Sequence, residues 1–454
     1  MDKIQMTLIS ISTIIFFYAA SYLLARYWKK SLKVRELTDE EALQRKTKLI
    51  QELKEHWRPL RYNLAYALQY LGQGFVRMAF VFFLPLYLAK ELGYPEAAIP
   101  ALIAFVMLAW AIKWPWGILT DCLPVGRFGR RKPYIVLLNV ICILVLAIFA
   151  FAHPGPAILI PLSMTFLALL AGIDAAYDGL LIDITPPDSH GLTIGGVAWG
   201  FKAIGELIGA LTVGAVISTF GFSAAFLTAM MFQLLTFSCL LIYEPSLTPE
   251  RRPTKEGFAL LFTEKYLWLA FLAISLPSYV AFFSPTAGAL GFVLKKIVGA
   301  AGLIGQIGAV NRGAVIVGSL LGGFVADRIG HKKTYIIAAP IMGLLIGSWV
   351  FAAPGAVSLV FLLAVIMGFV EGFYISSLFA IMGDMCPPYL PGTNYQVFMS
   401  AGHIGALIML FIWSFLLTSY SWAWGIIAIA VVGISNVIPI YFLKPYAEAK
   451  AVKI

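Results

Sequence analysis

Charge is what this chain has least of. Asp, Glu, Lys and Arg make up 12% of its 454 residues, where a soluble protein carries about a quarter. That scarcity excludes an ordinary water-soluble enzyme. Cysteine is scarce as well. Cys122, Cys142, Cys239 and Cys386 form no C-x-x-C pair, so neither a disulfide framework nor a zinc site is indicated. No G-x-x-x-x-G-K-[ST] occurs, which excludes a P-loop ATPase. No cofactor and no metal are expected. The net charge is +10, yet on so apolar a chain it marks membrane topology rather than a nucleic-acid partner.

What fills the sequence is apolar length: 60% of its residues are hydrophobic. A bilayer-crossing helix needs about 20 mostly apolar residues. Such runs are expected near 6–25, 62–89, 97–119, 133–152, 156–184, 191–219, 222–243, 266–292, 303–326, 333–352, 356–385, 392–418 and 421–443. The first has its basic residues (Arg26, Lys29, Lys30) after it and no small-residue cleavage box, so it reads as a retained anchor. The expectation is an all-α membrane protein with 13 spans: one extra N-terminal helix (1–27), a cytoplasmic segment (28–61), a six-helix bundle (62–243), a cytoplasmic loop (244–265), a second six-helix bundle (266–443) and a tail (444–454). Within 28–61, Leu43, Ile50, Leu53 and Trp57 recur at helical spacing. They suit an amphipathic helix on the membrane face or a solvated helix on cytoplasmic loops.

Lysine and arginine set the orientation. With 26–61 in the cytoplasm, 25 of the 33 fall on the cytoplasmic side. Lys3, Lys90, Lys295 and Lys296 fall outside, and Arg77, Lys113, Lys202 and Arg312 lie within spans. The positive-inside rule then puts the N-terminus outside and the C-terminus in the cytoplasm of a multi-pass plasma-membrane protein.

Two motifs repeat. Gly117 precedes Asp121 by four residues and is followed by Arg127, Gly129, Arg130 and Arg131; Gly323 precedes Asp327 by four and is followed by Arg328, Gly330 and Lys332. Asp183-Ile-Thr-Pro-Pro returns 201 residues later as Asp384-Met-Cys-Pro-Pro. The glycine admits a close neighbour. The aspartate, at a helix end, can pair with a cation and bind the N-terminus of another helix. This is a gating clasp, or a loop whose basic residues merely set topology.

With these loops the chain resembles the major facilitator superfamily over residues 62–443. Within it, Lys113-Trp-Pro-Trp-Gly117, Asp174-Ala-Ala-Tyr-Asp178 and Phe201-Lys202 look like muropeptide permeases and acetyl-CoA transporters. Ile173, Gly179 and Lys202 depart from their pattern. Arg127-Phe-Gly-Arg-Arg-Lys-Pro133 also resembles cation-coupled sugar symporters. The resemblance implies secondary transport by alternating access, with an amino-sugar conjugate or acyl-CoA-like anion as substrate.

Ionisable residues deep in a span are functional candidates. At about 1.5 Å per residue, Gln73, Asp174, Lys202 and His403 all fall near the midplane. Gln69, Gln73 and Arg77 make one stripe, a cavity wall or interhelical glue. Asp174 and Asp178, one turn apart, suit proton coupling, or else salt bridges to Lys113 and Lys202. Lys202 and Glu206 can neutralise each other at i, i+4. Arg312 and Glu371 can pair, as a gate or a tie. His403 can carry a proton or bond a backbone carbonyl. The expected partners are a small polar solute, protons and the bilayer, and the expected state is a monomer. A non-transporting assembly or receptor factor on the same fold is the alternative of another class.

Overall fold

The computed structural model describes residues 60–445 except for short stretches, the longest of them 94–105, 245–258, 260–263, 276–282 and 289–293. The expected helix at 6–25 and the amphipathic segment lie outside the described residues, as does Arg127.

The helices begin and end where backbone chemistry directs. After α1 (60–80) comes α2 (Trp114–Cys122), with Pro115 in its first turn, where the missing N–H matters least. Helix α3 (Lys132–Ala152) also starts on a proline and stops at His153, which is left-handed with φ 44°. Helix α4 (Pro156–Ile184) follows, then a π-helical turn (Gly191–Val197) leading into α5 (Ala198–Gln233) and a 3-10 stretch, Leu234–Leu241. Further along the chain lie α6 (Lys265–Ser275), an antiparallel pair of two-residue strands, β1 (Phe283–Ser284) and β2 (Ala287–Gly288), then α7 (Ala301–Ile329) and α8 (His331–Ser348). Then come α9 (Val357–Asp384), α10 (Pro391–Ser419), α11 (Trp422–Ser435) and α12 (Val437–Phe442).

This is an all-α multi-helix membrane bundle, but the expected 13 spans are corrected. Among the described residues, seven helices are long and apolar enough to cross a membrane. One reason is plain in the backbone. The expected spans 191–219 and 222–243 belong to a single 55-residue run, Pro187–Leu241. They meet at Gly221, whose φ of 80° turns the chain without any intervening loop. Residues of the expected spans 62–89, 97–119 and 266–292 fall partly outside the described set.

Apolar side chains cover the outside of the bundle: Leu137, Leu144, Phe151, Leu211, Leu344 and Phe415 are all exposed. Such a surface is suited to lipid. Polar and charged groups are turned inward instead. With lipid outside, close backbone packing holds the helices together. A Cβ on Gly205 of α5 would collide with the Leu71 carbonyl of α1. One on Gly318 of α7 would collide with the Phe369 carbonyl of α9. Gly343 of α8 meets Ala430 and Ile434 of α11 in the same way. Gly205→Leu is expected to destabilise by about 1–3 kcal/mol, the usual range for overpacking, and to lower the thermal midpoint in detergent; Gly214→Leu, where a Cβ meets nothing within 4 Å, is the control.

Candidate functional site

Two clusters of charge lie inside the bundle. The first is at the end where α2 stops and α3 begins, called here the clasp end. Asp121, on the last turn of α2, is fully buried. Its Oδ1 accepts from Arg131 Nη2 at 2.5 Å, and Arg130 stands 3.8 Å away. Its Oδ2 accepts from the backbone N–H of Thr393 at 2.6 Å and from the Thr393 hydroxyl at 2.7 Å. Thr393 is in the first turn of α10, so Asp121 of the N-terminal half caps a helix of the C-terminal half. Gly117 allows this, since a Cβ there would press on the backbone of Gly392 and Thr393.

The same device runs in the other direction. Asp327, at the end of α7, accepts the amide protons of Gly191 at 2.6 Å and Leu192 at 2.8 Å, where the run leading into α5 begins. Gly323 packs on the Gly191 carbonyl. Around Asp121 the cations are shared: Arg130 donates to Asp183 at 2.6 Å and Arg131 donates to it at 3.2 Å. Glu244 accepts the amides of Arg130, Arg131 and Lys132 at 2.9, 2.7 and 3.0 Å, fastening the start of α3. Gly129 has φ 105° beside it, and Gly330 has φ 104° at the matching turn. Arg328 lies over the Phe324 ring at 4.2 Å, and Lys332 donates to the Leu443 carbonyl at 2.7 Å, so these two cations brace the second loop rather than pair with Asp327.

The second cluster is deep in the bundle. Asp174 of α4 takes Lys113 Nζ on one oxygen and Gln73 Nε2 on the other, the latter at 2.5 Å. One turn along, Asp178 takes the Tyr70 hydroxyl on Oδ1, and on Oδ2 the amide of Gln396, on α10, at 2.8 Å. Lys113 also ties the halves, its backbone N–H donating to Ser400 Oγ at 3.4 Å. Lys202 Nζ lies over the rings of Trp199 and Trp110, 4.9 and 5.6 Å from their centroids. Glu206 is engaged by Arg77 of α1, with Arg312 of α7 at 3.8 Å, rather than by Lys202 alone. Arg312 lies 3.4 Å from Glu371 of α9. Gln69 is fully buried, and among the described residues neither of its amide atoms has a hydrogen-bond partner. His403 Nδ1–H donates to the Met399 carbonyl, one turn back, at 2.7 Å, the backbone arrangement.

Sequence reasoning passed over Tyr70 as an acid's partner, and it passed over Gln396, Thr393 and Glu244 altogether. Hydroxyls and amides do not stand out in a helix, and only the repeated Asp-x-x-Pro-Pro drew attention to Asp183 and Asp384.

A sequence profile of the Major Facilitator Superfamily matches residues 66–316 and 313–453. The chain belongs to that superfamily. It is 27% identical over 255 residues to a protein named folate-biopterin transporter from Synechocystis sp., covering 51% of this chain and 50% of that protein. The chain thus spans about half the length of this curated relative. The fold is similar to that of the fucose:proton symporter FucP of E. coli (TM-score 0.65, 14% identity, 85% of this chain and 98% of that one). It is also similar to the human organic anion transporter MFSD10 (TM-score 0.62, 14% identity, 84% and 99%). A bacterial homologue of the iron transporter ferroportin, in an outward-facing state, has TM-score 0.63 at 13% identity over 84% and 98%.

Removing one partner of a buried ion pair strands the other. Asp121→Ala leaves Arg131 with Asp183 as its carboxylate and frees the first turn of α10. A loss of stability on the order of 3 kcal/mol is expected in thermal unfolding. Asp121→Asn, which can still accept from Thr393, is expected to lose less.

Proposed function

We propose that this transporter couples the movement of a polar, anionic solute to protons through Asp174 and Asp178. One observation carries the reading. Asp178 is held by Tyr70 from one half of the chain and by Gln396 from the other. Its protonation state is therefore linked to whether the halves are together at this level. Protonation removes an acceptor from Gln396 or Tyr70, and separation of the halves removes the Gln396 donor from the carboxylate, Tyr70 being on the same half as Asp178. Two carboxylates one turn apart in a low-dielectric interior favour a shared proton. The clasp end is the cytoplasmic end in this reading, the N-terminus is outside, and the chain works as a monomer in the plasma membrane.

The basic groups Lys113, Lys202, Arg77 and Arg312 supply the attraction for an anion. Gln69, with an unengaged donor and acceptor, supplies recognition of an amide or heterocycle edge. The resemblance to muropeptide permeases and acetyl-CoA transporters supports an amino-sugar conjugate or acyl-CoA-like anion. The relative named as a folate-biopterin transporter supports a pterin conjugate. The indoles of Trp110 and Trp199 beside Lys202 favour a substrate with a flat ring.

The test is a thermal-stability screen at pH 5.5 and 7.5 against muropeptides, CoA esters, folates, biopterin, sugars and nucleotides. A ligand at 100 times its dissociation constant stabilises by about 2.7 kcal/mol. Stabilisation by an anion at the lower pH is the expected result. Stabilisation by a neutral sugar that depends on sodium favours the cation-coupled sugar symporter instead. For the ligand found, Asp174→Asn is expected to abolish uptake driven by a pH gradient while retaining counterflow. Full gradient-driven uptake by that variant removes Asp174 from the coupling.

A further inference from the structure

Three of the four cations in the deep cluster have a carboxylate of their own. Lys113 is paired with Asp174, Arg77 with Glu206, and Arg312 with Glu371. One charge of each sign is left over. Lys202, buried on α5, has Asp174 and Glu206 among its charged neighbours. Among the described residues, however, no carboxylate pairs with its ammonium group, which rests on the faces of Trp110 and Trp199 instead. Asp178, buried on α4, is bonded by a phenol and an amide, those of Tyr70 and Gln396, and by no cation.

Each of the two leftover groups has an unmet polar atom beside it. The indole Nε1 of Trp199 is buried, with no acceptor among the described residues. Trp199 and Lys202 are three residues apart on α5 and share a face. An ammonium and an indole N–H with no acceptor between them make a seat for an anion. Phe379 of α9 packs edge-on against Trp199, 5.2 Å between centroids, so the other half supplies an apolar wall. At Asp178 the unmet atom is an acceptor. Gln396 Nε2 donates to Asp178 Oδ2, while Gln396 Oε1 is buried without a partner. Turning the amide over offers a carbonyl oxygen in place of the N–H. A protonated Asp178 then donates to Gln396, and the bond between the halves is kept.

The charge sum gives these atoms a joint meaning. With Lys113, Lys202, Arg77 and Arg312 charged and Asp174, Asp178, Glu206 and Glu371 ionised, the empty cluster is neutral. An anion alone gives it one negative charge, and a proton alone gives it one positive charge. Either is costly in a low-dielectric interior. One anion together with one proton restores neutrality. The other ionisable groups packed here leave the sum unchanged. Tyr70, Tyr395 and Cys386 around Asp178 keep their protons near neutral pH. His403 of α10 donates to Met399, has Lys113 and Lys202 among its charged neighbours, and is counted as neutral imidazole.

We propose that Lys202 and the Trp199 N–H form the seat for a single carboxylate carried beside a flat ring, and that this anion and one proton on Asp178 are bound as a neutral pair. The proposal rests on the reading of Asp178 as a coupling group. It adds which cation meets the solute, how much charge the solute brings, and why neither ion travels alone. The empty carrier and the doubly loaded one are neutral, whereas each singly loaded form has to take a net charge through the bilayer. The proton comes from water at the open side and forms an O–H bond on a lone pair of the Asp178 carboxylate, with nothing oxidised or reduced. Lys113, Arg77 and Arg312 stay with their own carboxylates.

The experiment is calorimetric titration of the full chain in nanodiscs at pH 7.5, in two buffers of different ionisation heat, which counts protons taken up per anion bound. The probes are pterin-6-carboxylate, indole-3-acetate and 1-naphthoate, with biopterin, indole-3-acetamide and 1-naphthamide as their neutral counterparts. At least one carboxylate is expected to bind, about tenfold or more tighter than its counterpart, as one hydrogen bond to a charged group accounts for. It is expected to bring about one proton with it. Lys202→Gln is expected to weaken the anion by a similar factor and to abolish the proton uptake, because Asp178 then lacks a cation to balance it and already holds its proton. Lys202→Arg is expected to restore both. Should Lys202→Gln fail to fold, Asp178→Asn is expected to bind the anion with no proton uptake, and a proton count of one in that variant overturns the neutral pair. Parent affinity and parent proton count in Lys202→Gln overturn the proposal and leave the coupling reading standing. Anion binding that needs Lys202 but takes up no proton overturns the neutral pair and the coupling reading with it. Binding of no carboxylate more tightly than its neutral counterpart overturns the seat.

Discussion

A charge taken out of water must find its opposite, and this requirement organises the interior of the bundle. In a low-dielectric medium an unpaired ion costs several kcal/mol or more. Deep in this chain four cations (Lys113, Lys202, Arg77, Arg312) stand among four carboxylates (Asp174, Asp178, Glu206, Glu371). Almost every pairing is made between different helices. Lys113 reaches from the start of α2 to α4, Arg77 from α1 to α5, and Arg312 from α7 to both α5 and α9. Lipid provides no hydrophobic force to bring helices together. The ion pairs therefore fix the rotation and register of each helix, and the close-approaching glycines fix the separation.

The two halves use one device reciprocally at the clasp end. Each contributes an aspartate preceded by a glycine at i−4, and each aspartate caps the first turn of a helix in the other half. A cap of this kind is either made or lost, because the amides of a helix start are satisfied together. Two discrete arrangements of this end are what the proposed alternating access needs. The deep bonds from Asp178 to Gln396 and from Lys113 to Ser400 cross the same divide. They stand further along the axis, nearer the level of the candidate substrate groups.

Much of the helical plan is legible in the sequence, because long apolar runs and prolines mark it directly. Helix starts at Lys132, Pro156 and Pro391 fall within a residue or so of expectation. The expected spans 191–219 and 222–243 meet at Gly221, but without a loop to separate two elements. The site was legible as a set of unusual residues and less so as a set of pairs. Glu206 looks like the partner of Lys202 because local spacing is all a sequence displays. The structure brings it Arg77 from 129 residues away. Gln396 and Thr393 are hidden for a related reason. They are uncharged, and only the acid that faces them gives them a role. The bond between His190 and Asp384 was invisible because the two lie 194 residues apart.

The divided allegiance of Asp121 bears on how the chain is made. Its Oδ1 partner, Arg131, is ten residues away and emerges almost with it. The Oδ2 partner, Thr393, lies 272 residues further along. At roughly 5–20 residues per second of synthesis, the second partner follows tens of seconds after the first. Through that interval the arginine side is already neutralised, so the early helices can settle in the bilayer with one carboxylate oxygen still waiting. The N-terminal half is thereby left poised to receive its counterpart, and the order of translation becomes an order of assembly.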